Sequence, residues 1–316
     1  MSKIAIIGDT HFSPRTPVSR KDDYPETLLN KLDSLAWLCM EKGVKDVIFL
    51  GDLINNNQMT MEYFIKLYKK FLGFAAANIK LHTIIGNHDI QHGNPEFLDK
   101  SPMTLLLDSG LFNNKDFIVD DCLIRMVNYY TPTSEIPLAQ TNNFNDKNFH
   151  QILIGHYFYL NGFNDNDHTL MPEQCITLGY DKYFLGHDHT PYGPLKVNGY
   201  EVHRPGSFSR ATSLTCQVNR DNIQICIYDT ITNEVEYINI PKVLPSKDVY
   251  KETKLISKMN ERETVDITLS EEIDELINEL SFNFSSDIYT VLDSMELDKK
   301  VKEKVTSYLE EEGIYR

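Results

Sequence analysis

The sequence has few cysteines, and they are not arranged to form bonds with one another. Its five cysteines are an odd number and lie far apart, with no C-x-x-C pair among them. A disulfide framework and a thiolate metal site are therefore not expected. Buried free thiols in a reducing compartment are the remaining interpretation, and they favour a cytoplasmic protein.

Long apolar runs are also lacking. The 316 residues contain no apolar run of about 18 residues, the length that crosses a bilayer, so no membrane span is expected. The apolar stretch Ile4–Ile7 is too short for a signal peptide and leads directly into Gly8-Asp9. We interpret it as the first core strand. Hydrophobic residues at 41% and charged residues at 24% are typical of a soluble globular protein.

Positive charge is scarce. The chain has 31 Lys+Arg against 46 Asp+Glu, for a net charge of −15, of which residues 246–316 carry −8 and residues 1–245 carry −7. This acidity weakens a hypothesis of nucleic-acid binding, because proteins that follow phosphate backbones usually show basic patches. It does not exclude one, since a site with two divalent cations would offset several of its own carboxylates.

The first 90 residues alternate between strand and helix patterns. The predicted strands are Lys3–Gly8, Asp46–Leu50 and Lys80–Ile85, and the predicted helices are Pro25–Lys42 and Met59–Ala77. This order predicts a parallel sheet with covering helices. The single tryptophan, Trp37, belongs to the first helix and is expected to lie in the core.

After residue 115 the pattern is rich in short strands. The predicted strands are Phe117–Asn128, Gln151–Ile154, Tyr183–Leu185, Leu195–Val197, Tyr200–His203, Thr215–Val218, Ile223–Tyr228 and Val235–Ile240. Asn198-Gly199 is a strong hairpin signal. A mixed α/β protein with two facing sheets and helices outside is therefore expected. Residues 1–245 are predicted to form the main domain, and residues 246–316 a small helical module.

One pattern recurs five times: an aliphatic run, a glycine, and then a residue that can bind a metal. The five pairs are Gly8-Asp9, Gly51-Asp52, Gly86-Asn87, Gly155-His156 and Gly186-His187, in a chain with only 15 glycines. Strand carboxyl ends in open α/β sheets meet at one crevice, where ligands bind. Glycine there lets backbones crowd around a compact centre.

The residue types at these positions indicate a metal centre. Aspartate, asparagine and histidine without thiolate suit Mn²⁺, Fe²⁺ or Zn²⁺. Asp9-x-His11 and His187-x-His189 each place two side chains on the same side of a strand end. Asp52 is the natural bridge, since a carboxylate can give one oxygen to each of two cations. Two metals about 3.5–4 Å apart can clamp the attacking and leaving oxygens of an in-line phosphoryl displacement.

His88-Asp89 follows Asn87 and differs from the other pairs. A histidine beside the metals with a neighbouring carboxylate resembles an oriented general acid, which would protonate the leaving oxygen. We therefore predict His88 and Asp89 as catalytic residues.

Taken together, these motifs resemble the signature of the calcineurin-like metallophosphoesterase superfamily over about residues 3–214. The matching segments are Gly8-Asp9-Thr10-His11, Gly51-Asp52, Gly86-Asn87-His88-Asp89, Gly155-His156 and Gly186-His187-Asp188-His189. The resemblance implies a four-layer αββα sandwich of two mixed sheets. It implies two divalent ions, with Mn²⁺ favoured over Fe, Zn or Mg. It implies Asp9, His11, Asp52 and His189 around one ion, and Asp52, Asn87, His156 and His187 around the other.

Within the superfamily the sequence is similar to SbcD-type nucleases. Pro205-Gly206-Ser207 resembles the P-G-S segment that closes such sites, and residues 246–316 could be the helical segment that docks on an ATPase. The resemblance implies a Mn²⁺-dependent DNA exonuclease or endonuclease subunit, an SbcC-like coiled-coil ATPase partner and a homodimer. In one departure, Asp52 is followed by Leu53-Ile54-Asn55, where many members have Leu-Phe and then histidine or aspartate. A phosphatase or small-molecule (cyclic nucleotide) phosphodiesterase, and an inactive scaffold subunit, are the alternatives.

Three arginines are candidates for contacts with substrate phosphates. Arg15 and Arg20 lie in the loop after His11, and Arg210 is expected near the same mouth. A plain polar loop and a structural ion pair are the alternatives. His168 could reach substrate as well, although a solvated loop position is favoured for it.

Overall fold

The computed structural model describes residues 2–55, 59–140, 149–160, 167–197, 199–212 and 215–251. Met1–Lys251 forms one compact unit. The predicted helical module lies outside the described residues from position 252 onward. Its first six residues, 246–251, pack against this unit, as the hydrogen bond from Tyr250 Oη to the Arg210 carbonyl (2.9 Å) illustrates.

Fourteen strands and six helices form the described part. The strands are β1 Lys3–Ile7, β2 Asp46–Phe49, β3 Lys80–Thr83, β4 Phe112–Asn113, β5 Phe117–Val119, β6 Cys122–Val127, β7 His150–Gly155, β8 Phe158–Tyr159, β9 Thr169–Leu170, β10 Lys182–Leu185, β11 Tyr192–Val197, β12 Tyr200–Arg204, β13 Gln224–Asp229 and β14 Glu234–Asn239. The helices are α1 Tyr24–Lys42, α2 Met61–Ala76, α3 Pro102–Asp108, α4 Pro172–Leu178, α5 Thr215–Val218 and α6 Ser246–Val249.

The strands form two large mixed sheets, as predicted. The first sheet has the order β14-β13-β1-β2-β3-β4, with β1 to β4 parallel and β13 antiparallel to β1. The second has the order β11-β12-β10-β7-β6-β5, with β12, β10, β7 and β6 parallel and an antiparallel strand at each edge. Strands β8 and β9 form a small parallel pair.

Alternating side chains of β1 explain the layering. Ala5 and Ile7 pack with the cluster that contains α1 and α2, whereas Ile4 and Ile6 pack with strands of the second sheet. Both faces of the strand are buried, as expected for a parallel strand covered on two sides. On the far side of the second sheet, Leu153 packs with Cys175 of α4. The four layers are therefore helix, sheet, sheet and helix, which confirms the predicted sandwich.

Helix α1 shows why these elements form where the sequence predicts them. The Asp23 side chain accepts a hydrogen bond from Glu26 N, Pro25 occupies the first turn, and Gly43 ends the helix with a φ of 70°. One face carries the fully buried side chains of Leu28, Leu32 and Leu35. Each contributes about 1.5–3 kcal/mol through burial.

The prediction for Trp37 is wrong. Its side chain is 53% exposed, as is Met40 at 56%, so both lie on the outer face of α1. The inner face is already filled by leucines with helical spacing, which leaves no room for the larger indole.

The prediction for 215–218 is also wrong, because this segment is the short helix α5. Four residues are too few for periodicity to separate helix from strand. The segment is held by Gln217, whose Oε1 accepts a hydrogen bond from Thr212 N at 3.0 Å. The strand predicted over Phe117–Asn128 is interrupted by a turn at Asp120, with a φ of 50°, so it forms the hairpin β5–β6.

Among the described helices, none has the length and apolar character that crossing a membrane requires. Four of the five cysteines are buried free thiols: Cys39, Cys122, Cys175 and Cys226.

Candidate metal centre

Five predicted ligand positions follow strand ends on one edge of the two sheets. Asp9 follows β1, Asp52 follows β2, Asn87 follows β3, His156 follows β7 and His187 follows β10. These strands are parallel within each sheet, so their carboxyl ends lie at the same edge.

Three of the ligand positions have a left-handed backbone. The φ values are 43° at His11, 47° at Asp52 and 77° at His187. Side chains other than glycine adopt this region at a cost of about 1–3 kcal/mol each. Such strain is concentrated at functional sites, where the surrounding structure holds the residue in place.

The recurrent glycines are required by close backbone approach, as the sequence predicted. An added Cβ at four of the five would lie 2.2–2.6 Å from a neighbouring atom. The contacts would join Gly8 to Gly206 O at 2.2 Å, Gly51 to His156 Nδ1 at 2.6 Å, Gly86 to Asp52 Oδ1 at 2.2 Å, and Gly186 to Leu50 O at 2.3 Å. Any side chain at these positions would clash, at Gly51 and Gly86 with the predicted ligands His156 and Asp52 themselves.

His11, Asp52 and His189 form the first of two ligand clusters. His11 Nε2 lies 3.0 Å from His189 Nε2 and 3.6 Å from Asp52 Oδ2. Burial lowers the pKa of both histidines to about 4, although the charge of Asp52 opposes the shift. Both rings are therefore neutral near pH 7, which is the form that binds metals.

Asp52, His156 and His187 form the second cluster. His156 Nε2 lies 3.3 Å from Asp52 Oδ2 and 3.2 Å from Asn87 Oδ1. His156 Nδ1 donates a hydrogen bond to the Leu50 carbonyl at 2.7 Å, which turns Nε2 toward the cluster. Asp52 thus belongs to both clusters, as a bridging carboxylate would.

The electrostatics of the second cluster reflect its carboxylates. Burial opposes a charge on His156, but Asp52 and Asp9 raise the pKa of this histidine to about 9. Burial likewise opposes ionisation of Asp52, yet the charges of His156 and His88 hold its pKa well below 3.8. The site therefore favours an ionised Asp52 with positive charge beside it.

Asp9 lies beside both clusters. Its Oδ1 accepts a hydrogen bond from His187 N at 3.1 Å and lies 3.5 Å from His156 Nδ1. Its Oδ2 is buried and has no hydrogen-bond partner among the described residues. Burial is the largest influence on the Asp9 carboxyl and raises its pKa. A buried oxygen without a partner is costly unless a cation satisfies it.

The residues present fit a pair of divalent ions. The seven predicted ligands gather in one place and supply carboxylate oxygen, amide oxygen and imidazole nitrogen, without thiolate. These are ligands of borderline divalent metals. The buried Asp9 Oδ2, which has no hydrogen-bond partner among the described residues, is the observation that a cation would resolve.

Two residues that hold the ligand rings were missed by the sequence analysis. Asn55 Oδ1 lies 3.0 Å from His11 Nδ1, and the Gln217 side-chain amide lies 2.8 Å from His189 Nδ1. Asn55 Oδ1 accepts from His11 Nδ1–H, which leaves Nε2 of that ring unprotonated toward the cluster. The Gln217 amide instead donates to His189 Nδ1 and fixes the orientation of that ring. In the sequence Asn55 stands out only as a departure from the family pattern, and Gln217 lies in the segment predicted as a strand.

The expected pairing of His88 with Asp89 is wrong. Asp89 is fully buried, and its carboxylate accepts hydrogen bonds from Ile54 N at 2.9 Å and Gly86 N at 2.8 Å. Among the described residues no ion pair joins it to His88. Burial, with the charge of Asp52, raises the pKa of Asp89 to about 8. Asp89 therefore holds two loops together and does not orient the histidine.

His88 itself is exposed at the mouth of the site. Its backbone N donates to Asp52 Oδ1 at 2.8 Å, and its ring centroid lies 4.9 Å from that of His11. The side chain thus faces solvent beside the first cluster, where a substrate oxygen can reach it.

Two of the three candidate arginines are not available to substrate. Arg20 is 2% exposed and donates to Asp22 at 2.7 Å. Arg210 is fully buried and donates to the Leu244 carbonyl at 2.6 Å. Both predictions are corrected, because these guanidinium groups bind parts of the chain itself. Arg15 is exposed.

The favoured solvated position for His168 is also wrong. Its ring stacks on Tyr129 with centroids 4.0 Å apart and an interplanar angle of 15°. The Tyr129 ring in turn lies 5.9 Å from the ring of His156. His168 is therefore part of the wall of the site.

Comparisons with known proteins identify the family of the chain. The family model of the calcineurin-like phosphoesterases matches residues 2–191. No curated protein matches the chain. Similar solved structures include the protein TT1561 of Thermus thermophilus, at 12% identity and a TM-score of 0.44, covering 76% of this chain and 99% of that one.

Two further solved structures show a comparable level of similarity. A dimetal phosphatase from Danio rerio is 12% identical with a TM-score of 0.45, covering 76% of this chain and 99% of the other. GAP50, the anchor in the inner membrane complex of Plasmodium, is 12% identical with a TM-score of 0.41, covering 78% of this chain and 92% of the other. At these scores the assignment rests on the family match alone. That match covers more than half of the chain, which therefore belongs to the calcineurin-like phosphoesterase family and is a metal-dependent phosphate-ester hydrolase.

Proposed function

We propose that this protein is a Mn²⁺-dependent DNA nuclease of the SbcD type, which hydrolyses phosphodiester bonds. The observation that carries the proposal is the shared carboxylate of Asp52, whose Oδ2 lies 3.6 Å from His11 Nε2 and 3.3 Å from His156 Nε2. An exposed His88 lies directly beside it. One carboxylate between two histidine clusters, with an accessible acid next to it, suits in-line displacement at a phosphodiester.

Different residues of the chain would bind the metals and protonate the leaving group. Asp9, His11, Asp52 and His189 would hold one ion, and Asp52, Asn87, His156 and His187 the other. When bound, the metal pair activates the nucleophile and neutralises charge on the phosphoryl oxygens. His88 protonates the departing sugar oxygen. The hydrogen bond from its backbone N to Asp52 places His88 beside the proposed bridging carboxylate.

The proposed acid is open to a substrate, because the His88 side chain is exposed. This access is compatible with a polymer as substrate.

The P-G-S segment supports the SbcD-type assignment. Ser207 N donates to the His189 carbonyl at 3.1 Å, and Ser207 Oγ donates to the Asp9 carbonyl at 3.2 Å. The segment therefore packs behind the site, and its hydrogen bonds hold the backbone of His189 and Asp9.

The proposal extends to assembly and location. We propose an SbcC-like coiled-coil ATPase as partner, a homodimer as the working form, and the cytoplasm as the compartment. Four buried free thiols support a reducing environment. The segment assigned to the ATPase contact lies outside the described residues.

Hydrolysis assays test the proposal directly. The protein loaded with Mn²⁺ is incubated with linear double-stranded DNA, circular single-stranded DNA, p-nitrophenyl phosphate and a cyclic nucleotide. We expect DNA to be degraded, with little turnover of the monoester and the cyclic nucleotide. A strong preference for the monoester would replace the nuclease proposal with a phosphatase.

A further inference from the structure

Three aromatic side chains line the metal centre beside the second cluster. We call Tyr129, Phe158 and His168 the aromatic wall. The Phe158 ring centroid lies 4.1 Å from that of His187, and the Tyr129 ring centroid lies 5.5 Å from the same histidine. Ring stacking between Tyr129 and His168, at 4.0 Å, joins the third member to the others.

The aromatic wall is held by the backbone. Tyr129 N donates to the Ile85 carbonyl at 2.8 Å, directly before Gly86-Asn87. Phe158 N donates to the His168 carbonyl at 3.0 Å, as part of the β8–β9 pair. The three rings are therefore presented in fixed positions and need little ordering when a ligand arrives.

Support of the metal ligands does not account for the aromatic wall. His156 is already oriented by its hydrogen bond to the Leu50 carbonyl, and the backbone N of His187 is fixed by Asp9. All three wall side chains are partly exposed, whereas Phe49 and Phe184 in the sheets are fully buried. Part of each wall side chain is thus accessible to solvent at the rim of a site that binds phosphate esters.

We propose that the aromatic wall is a nucleobase-binding subsite of the active site. It takes the base of the nucleoside that keeps the phosphate after cleavage. His88, the proposed acid for the leaving oxygen, lies against His11 of the first cluster, while the aromatic wall lies against His187 of the second. The leaving and retained nucleosides are therefore directed to opposite ends of the centre. This inference rests on the proposed function as a phosphodiesterase.

Stacking suits a nuclease without strong sequence preference. Every base has a π face, so a stacking subsite accepts all four. The retained nucleoside would be positioned by its base as well as by its phosphate, which favours substrates whose bases can leave the duplex stack. Methyl or other simple diesters would lose this contact.

Chromogenic diesters with one common leaving group provide the test. The Mn²⁺-loaded full chain is assayed with the p-nitrophenyl esters of thymidine 5′-phosphate and thymidine 3′-phosphate, and with methyl p-nitrophenyl phosphate. The p-nitrophenolate leaves without help from an acid, so His88 does not influence the comparison. We expect kcat/KM for the better thymidine ester to exceed that for the methyl ester by about tenfold or more.

Variants then locate the contact. In Phe158→Leu and His168→Leu, the ratio of kcat/KM for the thymidine ester to that for the methyl ester should fall about 5- to 100-fold, mainly through KM. Trp37→Leu removes an exposed aromatic on the outer face of α1 and should change neither ester. Two different wall variants are used so that one that fails to fold does not decide the result.

Each outcome has a distinct meaning. A wild-type enzyme that hydrolyses all three diesters without preferring thymidine overturns the subsite and leaves the phosphodiesterase function intact. A thymidine preference that survives in both folded variants also overturns it, because the contact then lies elsewhere. An enzyme that hydrolyses only monoesters overturns the proposed function itself.

Discussion

Ionisable side chains are buried near both ends of the parallel strands, and the two regions differ in how their charges are matched. Near the amino ends, His82 Nε2 lies 2.9 Å from Asp46 Oδ1. Glu201 accepts a hydrogen bond from Lys182 at 2.7 Å and lies 3.2 Å from His203 Nε2. Each donor there has an acceptor supplied by the chain itself, so the region is complete without a ligand.

At the carboxyl ends the matching is incomplete. The buried Asp9 Oδ2 has no hydrogen-bond partner in the described part of the chain. His11, Asp52 and His187 also have a left-handed backbone there. The paired groups near the amino ends stabilise the fold, whereas an unpartnered carboxylate oxygen and strained backbones mark the cluster at the carboxyl ends as the candidate functional site.

The largest effect is expected from breaking the bridge between the two metal clusters. Asp52→Asn should reduce hydrolysis about 10³-fold or more and lower the metal content per chain, because both clusters lose an anionic oxygen. Asp46→Asn is the counterpart at the matched end. It should keep metals and activity while lowering the free energy of unfolding by about 1–2 kcal/mol, since the asparagine oxygen can still accept a hydrogen bond from His82. Loss of metal from Asp46→Asn would contradict the contrast between a structural region at the amino ends and a metal-binding region at the carboxyl ends.

His88→Ala separates the loss of an acid from the loss of a metal ligand at the metal site. We expect kcat to fall about 10²- to 10⁴-fold with metal content near that of the wild type, because His88 acts as an acid and not as a ligand. Asp89→Asn is the matched control. It should lower the free energy of unfolding by about 1–3 kcal/mol through its lost backbone contacts. Elemental analysis decides the first point, since metal loss in His88→Ala would make His88 a ligand.

The two regions should differ at alkaline pH, whereas acidification should destabilise both, since burial also lowers the pKa of His11 and His189 in the metal site to about 4. Without metal, the pKa of His156 is raised from 6.5 to about 9. Protonated His156 therefore stabilises the metal-free protein fully below pH 6.5. As pH rises through 9 this contribution is lost, and the free energy of unfolding falls by about 3 kcal/mol. Burial lowers the pKa of His203 to about 4, so its contribution falls on acidification below 6.5.

Urea denaturation in EDTA between pH 6 and 9.5 measures this loss of unfolding free energy at alkaline pH. We expect His156→Gln to remove it and bound metal to suppress it, since a ligating imidazole is neutral at every pH in this range. If His156→Gln lost as much stability at alkaline pH as the wild type, another group would be responsible for the effect.

The smallest effects come from two glycines in different surroundings. A Cβ at Gly86 would lie 2.2 Å from Asp52 Oδ1 and 2.3 Å from Asp52 N, whereas at Gly73 of α2 nothing lies within 4 Å. Gly86→Ala should cost about 1–3 kcal/mol and weaken metal binding. Gly73→Ala should stabilise by up to about 1 kcal/mol, since alanine favours a helix. Thermal unfolding with and without Mn²⁺ compares them, and equal metal affinity in both variants would contradict the crowding argument.

The main elements of the fold could be predicted because their patterns are long and regular. Helix α1 has a capping aspartate, a leucine face and a terminal glycine, and its observed bounds differ from the prediction by one residue. Strands β1 and β2 are short aliphatic runs followed by glycine. Helix α5 could not be predicted, because a four-residue segment carries no measurable period.

The gathering of the predicted metal ligands could be anticipated because all of them lie within a few residues of five strand ends. The roles of the neighbouring residues could not. Arg20 contacts the carbonyl of Arg210, 190 positions away along the chain, and no local pattern indicates such a contact. Asp89 lies next to His88 in sequence, yet its carboxylate binds the backbone of Gly86 and Ile54. Adjacency in sequence does not place two side chains on the same side of a turn.

The central claim is that the two clusters hold two divalent ions bridged by Asp52. Its most direct test is a calorimetric titration of the metal-free protein with Mn²⁺, followed by electron paramagnetic resonance of the loaded protein. The account predicts two ions per chain and the spectrum of an exchange-coupled pair, which Asp52→Asn would abolish. One ion per chain, or two ions without coupling, would contradict it.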